Sequence, residues 1–311
     1  MEYVYLGHSG LEVSRLGLGA IPFGTGLDEA TCQRITDIYH DAGGNFIDTA
    51  NFYGGGSYGT NLEMAGTSER TVGKVIKGRR DRFVVATKGF WLMENEVWPN
   101  RVGLSRTYLA KNIEQSLRHL GTDYIDLYQC HTLDLYTPVE ETIRVLDDFV
   151  RAGKIRYVGV SNWDGWHVVK ANMHAKAGGL TPILSNQIWY NLADRCAEHS
   201  LIPACRDQQV SIIAWGIMAE GFLAGKYKRG DKEPASGAKM WAAKPGEMFS
   251  WERLAIDRNW DVIDALKRIG EKHNRSIANI AIRWLLDSGA CDVALVGASR
   301  IEQLENNMGD G

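Results

Sequence analysis

Short apolar runs alternate with longer amphipathic segments along most of the chain. The runs are rich in aliphatic and β-branched residues, which predicts eight strands, over residues 16–19, 45–49, 83–88, 124–131, 155–161, 183–187, 210–215 and 293–296. Between them apolar residues recur every three or four positions, which predicts helices over residues 29–42, 68–77, 105–120, 138–151, 166–177, 197–208 and 259–273. The chain therefore reads as a series of β/α units.

The regular alternation of these units indicates how they assemble. Strands that are apolar throughout are typical of parallel sheets covered by helices. Eight such units favour an α/β fold in which the strands close into a (β/α)8 TIM barrel. An N-terminal β-hairpin cap is predicted ahead of the barrel, because apolar residues alternate on both sides of a turn at Ser9 and Gly10. Residues 226–251 are polar and indicate a long loop after the seventh strand.

A doubly wound open sheet is the alternative architecture. Residues 54–59 match the dinucleotide-binding pattern G-x-G-x-x-G, which supports it. That pattern acts at a tight turn from a strand into a helix, whereas here a polar loop continues to about Gly66. We therefore interpret residues 54–66 as a loop over a cleft.

Composition and charge narrow the class of protein. The 311 residues fit a single barrel domain, and a net charge of −3 gives no basic field for nucleic acid. No apolar stretch is long enough for a membrane span, and the amino terminus lacks the regions of a signal peptide, so we expect a cytoplasmic protein. The five cysteines are scattered without ligand spacing, so no disulfide framework or metal site is indicated.

Four polar residues follow three consecutive strands, at the ends where the chemistry of a parallel barrel collects. Asp48 ends the second strand and Tyr53 lies in the loop after it. Lys88 ends the third strand and His131 the fourth. Each alone has an ordinary structural explanation, but a partly buried Asp48 and Lys88 would each be costly unless they paired. We therefore expect the four side chains to lie close together.

This set of side chains suits the reduction of a carbonyl group. A lysine ammonium favours the phenolate of a neighbouring tyrosine, so we expect Lys88 to lower the pKa of Tyr53 from about 10 and make it a usable acid. His131 can hydrogen-bond the carbonyl oxygen and stabilise the charge that develops there. No side chain donates a hydride, so a nicotinamide cofactor is implied.

Six motifs in a fixed order span most of the chain, at residues 46–54 (FIDTANFYG), 86–88 (ATK), 129–131 (QCH), 159–162 (GVSN), 186–191 (NQ followed by YN) and 296–300 (VGASR). Together they resemble the aldo-keto reductase family, in the branch that includes bacterial members and potassium-channel β-subunits. The resemblance implies a barrel with a hairpin cap and an extended NADPH, preferred over NADH, across the strand ends. It also implies a catalytic tetrad of Asp48, Tyr53, Lys88 and His131.

The resemblance further implies where the cofactor contacts the chain. Ser161, Asn162 and Gln187 match residues that hold the nicotinamide carboxamide, and Trp215 stands where an aromatic residue, usually tyrosine, stacks on the ring. Arg300, at the start of a helix, would clamp a 2′-phosphate. The implied contacts are Gly19, Ala20, Ile21, Asp48, Ser161, Asn162, Gln187, Trp215, Gly216, Ile217, Met218, Gly297, Ser299, Arg300, Gln303 and Asn307. Among these, Gly216, Ile217 and Met218 replace a usual Ser-Pro-Leu at the pyrophosphate.

The substrate is less constrained than the cofactor. Candidate lining residues are Ile21, Phe23, Phe90, Trp91 and Trp163, and this apolar, aromatic wall favours a bulky aldehyde or ketone. Members of the family often have Trp after the first strand, where this chain has Ala20 and Ile21. They normally continue past the position of Asn307 into a final helix and a tail that borders the pocket.

Two other functions remain open at this point. An NADP(H)-sensing subunit with slow turnover, resembling channel β-subunits and regulating a partner protein, would keep the same site, although a complete tetrad favours catalysis. A barrel isomerase or lyase without nicotinamide would need a phosphate or metal site, which the motifs do not provide.

Overall fold

The computed structural model describes residues 1–55, 61–94, 98–231 and 250–309. Residues 56–59 of the G-x-G-x-x-G match, and residues 232–249 of the expected long loop, lie outside these ranges. The chain opens with strands β1 (Tyr3–Tyr5) and β2 (Glu12–Ser14), which pair antiparallel. The predicted hairpin is confirmed.

Eight further strands form a closed parallel barrel in which each strand pairs with the next along the chain and the last pairs with the first. They are β3 (Leu16–Gly19), β4 (Phe46–Asp48), β5 (Val84–Gly89), β6 (Ile125–Cys130), β7 (Ile155–Ser161), β8 (Ile183–Trp189), β9 (Ser211–Trp215) and β10 (Val293–Gly297). All eight predicted strands are confirmed to within two residues at either end. The (β/α)8 barrel is therefore confirmed, and the doubly wound alternative is wrong.

Helices surround the barrel and cover the outer faces of its strands. They are α1 (Glu29–Asp41), α2 (Thr67–Val75), α3 (Arg106–Leu120), α4 (Val139–Arg151), α5 (Gly165–Gly178), α6 (Leu201–Asp207), α7 (Trp251–Leu254), α8 (Asp257–His273), α9 (Ile277–Asp287) and α10 (Ile301–Met308). The seven helices predicted from periodicity are all present. One of them, α6, starts later than predicted, because residues Cys196–His199 form a separate 3-10 turn.

Helix α9 was not predicted from the sequence. Its sequence, IANIAIRWLLD, is nevertheless amphipathic, because the buried residues Ala278, Ala281, Ile282 and Leu285 recur at helical spacing while the polar residues Asn279, Arg283 and Asp287 stand four apart. The helix packs against α8 and α10 and contributes Ala281, Ile282 and Leu285 to the core. A capping box at its start was a further signal, because the side chains of Ser276 and Asn279 each accept a hydrogen bond from the backbone N–H of the other.

The barrel interior is apolar at its amino-terminal end. Leu6 and Val13 of the hairpin region pack there against strand residues such as Phe46 and Leu295. A Cβ atom at Gly17 would come within 2.7 Å of the Phe46 ring and 2.8 Å of Leu295, so the close packing requires glycine. This end is filled and capped, which leaves polar chemistry to the carboxyl ends of the strands. Within the described ranges, no helix combines the length and the apolar character that crossing a membrane requires.

Candidate active site

A buried ion pair lies at the carboxyl ends of β4 and β5. Lys88 Nζ donates to Asp48 Oδ2 at 2.6 Å and to the Thr49 carbonyl at 2.8 Å. The exposed fractions of the Lys88 and Asp48 side chains are 0% and 3%. Burial lowers the pKa of Lys88, but attraction to Asp48 and Tyr53 outweighs burial and raises the pKa above its ordinary value. Lys88 is therefore charged, as the paired arrangement requires.

The second oxygen of Asp48 is held by two glutamines from across the barrel. Gln129 Nε2 of β6 donates to Asp48 Oδ1 at 3.0 Å, and Gln187 Nε2 of β8 donates to the same atom at 2.8 Å. All three residues are buried. Gln129 was not among the sequence candidates, although an amide near the end of a buried strand was a signal that it has a polar partner. Gln187, the expected carboxamide ligand, uses its NH2 group in this bond to Asp48.

Tyr53 lies in the turn after β4, next to the ion pair. Its hydroxyl accepts a hydrogen bond from Lys88 Nζ at 3.1 Å, and Lys88 Nζ lies 4.7 Å from the centre of its ring. Burial raises the pKa of Tyr53 more than Lys88 lowers it, and the charge of Asp48 adds to the rise. The expectation that Lys88 would bring this pKa down is therefore wrong in its net direction. The phenol keeps its proton at neutral pH.

His131 follows β6 and faces the Tyr53 ring edge-on, with the ring centres 5.7 Å apart. Burial, and secondarily the charge of Lys88, holds the pKa of His131 well below its ordinary range. The imidazole is therefore neutral. Its Nδ1 atom is buried and has no hydrogen-bond partner among the described residues. A bare nitrogen is less costly there than an unpaired N–H, which favours the tautomer with the proton on Nε2.

The carboxyl ends of the strands form the open end of the barrel, which we call the mouth. Asn162 and Trp215 also lie at the mouth, at the ends of β7 and β9. Trp215 Nε1 donates to Asn162 Oδ1 at 3.1 Å, and Asn162 Nδ2 donates to the His131 carbonyl at 3.2 Å. Ser161 lies beside them and donates through its hydroxyl to the Gln187 carbonyl at 2.9 Å. The structure thus brings together the residues expected around the nicotinamide.

The remaining expected cofactor positions extend outward from this mouth. Gly19 and Gly297 end the neighbouring strands β3 and β10, Ala20 is buried and Ile21 is exposed. After β9, Gly216 has φ 65°, Ile217 is buried and Met218 is partly buried.

The last group of expected positions lies around the start of α10. Ser299 and Arg300 are exposed there, and Asn307 lies further along that helix, partly exposed. Gln303 accepts from the backbone N–H of Ser299 at 3.0 Å and from its hydroxyl at 2.8 Å, so its carbonyl oxygen is engaged within the chain.

Comparison with known proteins identifies this arrangement. A family model described as the aldo/keto reductase family matches residues 15–310. The chain belongs to the aldo/keto reductase family. This confirms the resemblance inferred from the motifs, and membership implies an oxidoreductase.

Individual aldo/keto reductase relatives align along nearly the whole chain. The uncharacterized oxidoreductase YrpG of Bacillus subtilis (strain 168) is 37% identical, over 99% of this chain and 90% of its own length. Norsolorinic acid reductase of Aspergillus flavus is 31% identical, over 96% of this chain and 74% of its own. A probable voltage-gated potassium channel subunit beta of Oryza sativa subsp. japonica is 32% identical, over 99% and 90%. The bacterial and channel-subunit branch expected from the motifs is thereby confirmed.

Aromatic side chains form one wall of this aldo/keto reductase's mouth. The Trp91 ring centre lies 6.4 Å from His131, 5.0 Å from Phe90 and 6.2 Å from Phe52. Trp91 is 39% exposed, so the wall presents apolar surface beside Tyr53 and His131. Phe52, directly before Tyr53, was not among the sequence candidates.

A buried polar network holds this wall in place from behind. The Tyr108 hydroxyl donates to the Trp91 carbonyl at 2.6 Å and accepts from Asn112 and Asn51 at 3.2 Å each. These links tie the loop after β5 to α3 and to the loop after β4. The backbone of Trp91 is therefore held by this buried network, which lies behind the aromatic wall.

Two of the expected substrate-lining residues have almost no surface to offer. Phe23 is 0% and Trp163 1% exposed, and both pack in the main core around the barrel. Trp163 also accepts from Asn186 Nδ2 through its carbonyl at 2.9 Å, which ties it to β8. Both residues follow strands, at positions from which a side chain can turn either to the open end of the barrel or under the helices. Of that set, Ile21, Phe90 and Trp91 have surface that a ligand could contact.

Proposed function

We propose that this protein reduces an aldehyde or ketone to the alcohol with NADPH, and that Tyr53 donates the proton. The observation that carries the proposal is the Tyr53 hydroxyl at 3.1 Å from the buried Lys88 ammonium, beside a neutral His131. A protonated phenol, a fixed positive charge and a neutral imidazole are the groups that a developing alkoxide requires. No other described part of the mouth offers an acid so placed.

The residues present fit a nicotinamide dinucleotide. Trp215 offers a flat aromatic face, and Asn162 an exposed amide, at the centre of the mouth. A Cβ atom at Gly297 would meet no other atom within 4 Å, so the end of β10 leaves open space towards Ser299 and Arg300. When bound here, a reduced nicotinamide supplies the hydride that no side chain can provide.

The chain's own groups would divide the remaining work. Tyr53 gives its proton to the alkoxide oxygen, and Lys88 stabilises the phenolate left behind. Asp48 keeps Lys88 in place, and two glutamine amides keep Asp48 in place. His131 donates from Nε2 to the carbonyl oxygen, and the aromatic wall around Trp91 excludes water.

The aromatic wall supports a bulky, apolar carbonyl compound as substrate. Phe52, Phe90 and Trp91 surround the approach to Tyr53 with aromatic faces, on which planar groups stack favourably. A relative is named for the reduction of norsolorinic acid, which is consistent with a carbonyl substrate here. A small charged aldehyde would find few partners on this wall.

The proposal is tested by following NADPH oxidation by the purified protein with a panel of aromatic aldehydes, bulky ketones and short charged aldehydes. We expect turnover that is highest for the aromatic and bulky compounds. Tight NADP(H) binding without turnover on any carbonyl would contradict reduction as the function. It would favour an NADP(H)-sensing subunit, and one relative is named as a probable voltage-gated potassium channel subunit beta.

Arg300 is proposed to select NADPH over NADH. Its guanidinium is exposed at the start of α10 and forms no ion pair within the described ranges, so it is available to a 2′-phosphate. Replacement by leucine is expected to weaken NADPH binding about tenfold and to leave NADH binding unchanged. Calorimetric titration of both cofactors measures this, with Arg118→Leu on the exposed side of α3 as the matched control. Equal losses for NADPH and NADH would contradict the assignment.

Gln129 is proposed as a positioning residue that acts through Asp48. Gln129→Met keeps the size of the side chain but removes the amide at 3.0 Å from Asp48 Oδ1, so the carboxylate and Lys88 lose part of their fixed geometry. We expect kcat for reduction to fall about tenfold, the order expected for a hydrogen bond to a charged group, with cofactor affinity retained. Gln33→Met is the control, because Gln33 donates to Asp37 at 2.9 Å on the remote helix α1. A loss of stability without a loss of kcat would show a purely structural role.

A further inference from the structure

Asn162 has a backbone conformation that asparagine adopts only occasionally. It has φ 57°, in the left-handed region, directly after β7, and its side chain is exposed at the mouth. Such a conformation persists where the surroundings determine it, and it often occurs at functional sites. Its side chain links three strand ends, because it bonds Trp215 at the end of β9, His131 after β6 and Ser161 at the end of β7.

These hydrogen bonds fix which way the Asn162 amide points. An indole N–H can only donate, so the atom 3.1 Å from Trp215 Nε1 must be the amide oxygen. The two amide hydrogens are then used by the His131 carbonyl at 3.2 Å and the Ser161 hydroxyl at 3.0 Å. What remains free is one lone pair of Oδ1. Asn162 is thus presented to the mouth as an acceptor.

Trp215 is itself held firmly. Its ring meets the Trp189 ring edge-on, with centres 5.0 Å apart. A Cβ atom at Gly216 would come within 2.2 Å of the Trp189 ring, so the chain can turn away after Trp215 only because glycine follows it. The indole N–H is therefore a fixed donor on which Asn162 depends.

We propose that Trp215 is a positioning residue for Asn162, whose indole N–H sets the amide so that Oδ1 accepts from the carboxamide of the nicotinamide. The role is separate from ring stacking, which any aromatic face provides. A tyrosine hydroxyl both donates and accepts, so it would not select one orientation of the amide. The inference rests on the proposed cofactor, and it assigns to this chain's tryptophan a function that a phenol at the same position would lack.

A double-mutant cycle tests the inference by calorimetric titration with NADP. Trp215→Phe keeps an aromatic face and removes the N–H, and we expect NADP affinity to fall about tenfold. Asn162→Gly removes the amide and suits the left-handed backbone. In the Asn162→Gly background we expect Trp215→Phe to change affinity less than about twofold, because the partner is already gone. Trp98→Phe, 63% exposed in the loop after β5, is the control and should bind NADP as the wild type does.

The outcomes separate the inference from the function on which it rests. Equal losses in both backgrounds would overturn the inference and show that the indole acts by its face alone. Absence of NADP binding by the wild-type protein would overturn the proposed function as well. Thermal melts of each variant report folding. If Trp215→Phe does not fold, Trp215→Tyr replaces it in the cycle, with the same expected loss and the same disappearance of that loss in the Asn162→Gly background.

Discussion

Replacement of Tyr53 by phenylalanine is expected to lower kcat for carbonyl reduction about a thousandfold, the middle of the range for loss of a general acid. The change removes one oxygen, which lies 3.1 Å from Lys88 Nζ, and leaves the ring and its edge-on contact with His131. Cofactor affinity should change little, because no cofactor contact is assigned to this hydroxyl. Single-turnover rates of NADPH oxidation, with calorimetric affinities beside them, measure the two effects separately.

The pH dependence of the wild-type enzyme provides a second measurement on the same group. Tyr53 donates only when protonated, and burial raises its pKa. The reductive rate should therefore stay level through neutral pH and decline only above the ordinary tyrosine value of about 10. Tyr3→Phe is the matched control, since the Tyr3 hydroxyl donates to the Gly43 carbonyl at the hairpin end. Equal rates of carbonyl reduction for the wild type and Tyr53→Phe would show that Tyr53 is not the proton donor.

The barrel could be predicted because its strands are buried on both faces. Strands such as β9 and β10 are buried at their first four positions and are almost entirely apolar, so each forms an apolar run that stands out from the polar segments around it. Helix α9 was missed although it carries a periodic signal, since its buried residues lie at positions 278, 281–282 and 285–286 while Arg283 and Asp287 are exposed. Eight of its eleven residues are apolar, so the helical repeat is visible only when the polar residues at every fourth position are taken into account.

The convergence of Asp48, Tyr53, Lys88 and His131 could be predicted from their positions at the ends of neighbouring strands. The net pKa of Tyr53 could not, because it is the balance of burial against two opposite charges, and burial is a property of the folded chain. The two glutamine partners of Asp48 could not be predicted from the sequence either. Gln129 and Gln187 come from β6 and β8, which are two and four strands away from β4 around the barrel, and only closure of the barrel brings all three residues together.

The buried ion pair predicts the largest effect on stability. Lys88→Met removes the ammonium but leaves Asp48 charged, 3% exposed and without its counter-ion. Leaving an uncompensated buried charge costs about 3–5 kcal/mol, so we expect the free energy of unfolding to fall by about that amount. Urea denaturation at neutral pH measures this. Lys74→Met is the matched control, because Lys74 pairs with Glu29 at 2.7 Å on the exposed surface, where the pair contributes little.

Removal of both charges should restore part of that loss. In the double variant Lys88→Met with Asp48→Asn, the asparagine oxygen still accepts from Gln129 and Gln187, and no charge remains in the low-dielectric interior. The double variant should therefore be more stable than Lys88→Met alone, although both lack catalysis, since Tyr53 has lost its ammonium in each. The loss of stability in the double variant could instead equal the sum of the losses in Lys88→Met and Asp48→Asn. That result would mean that the charges do not stabilise each other. The pair would then act only on Tyr53, and its burial would be a cost of catalysis that the rest of the barrel offsets.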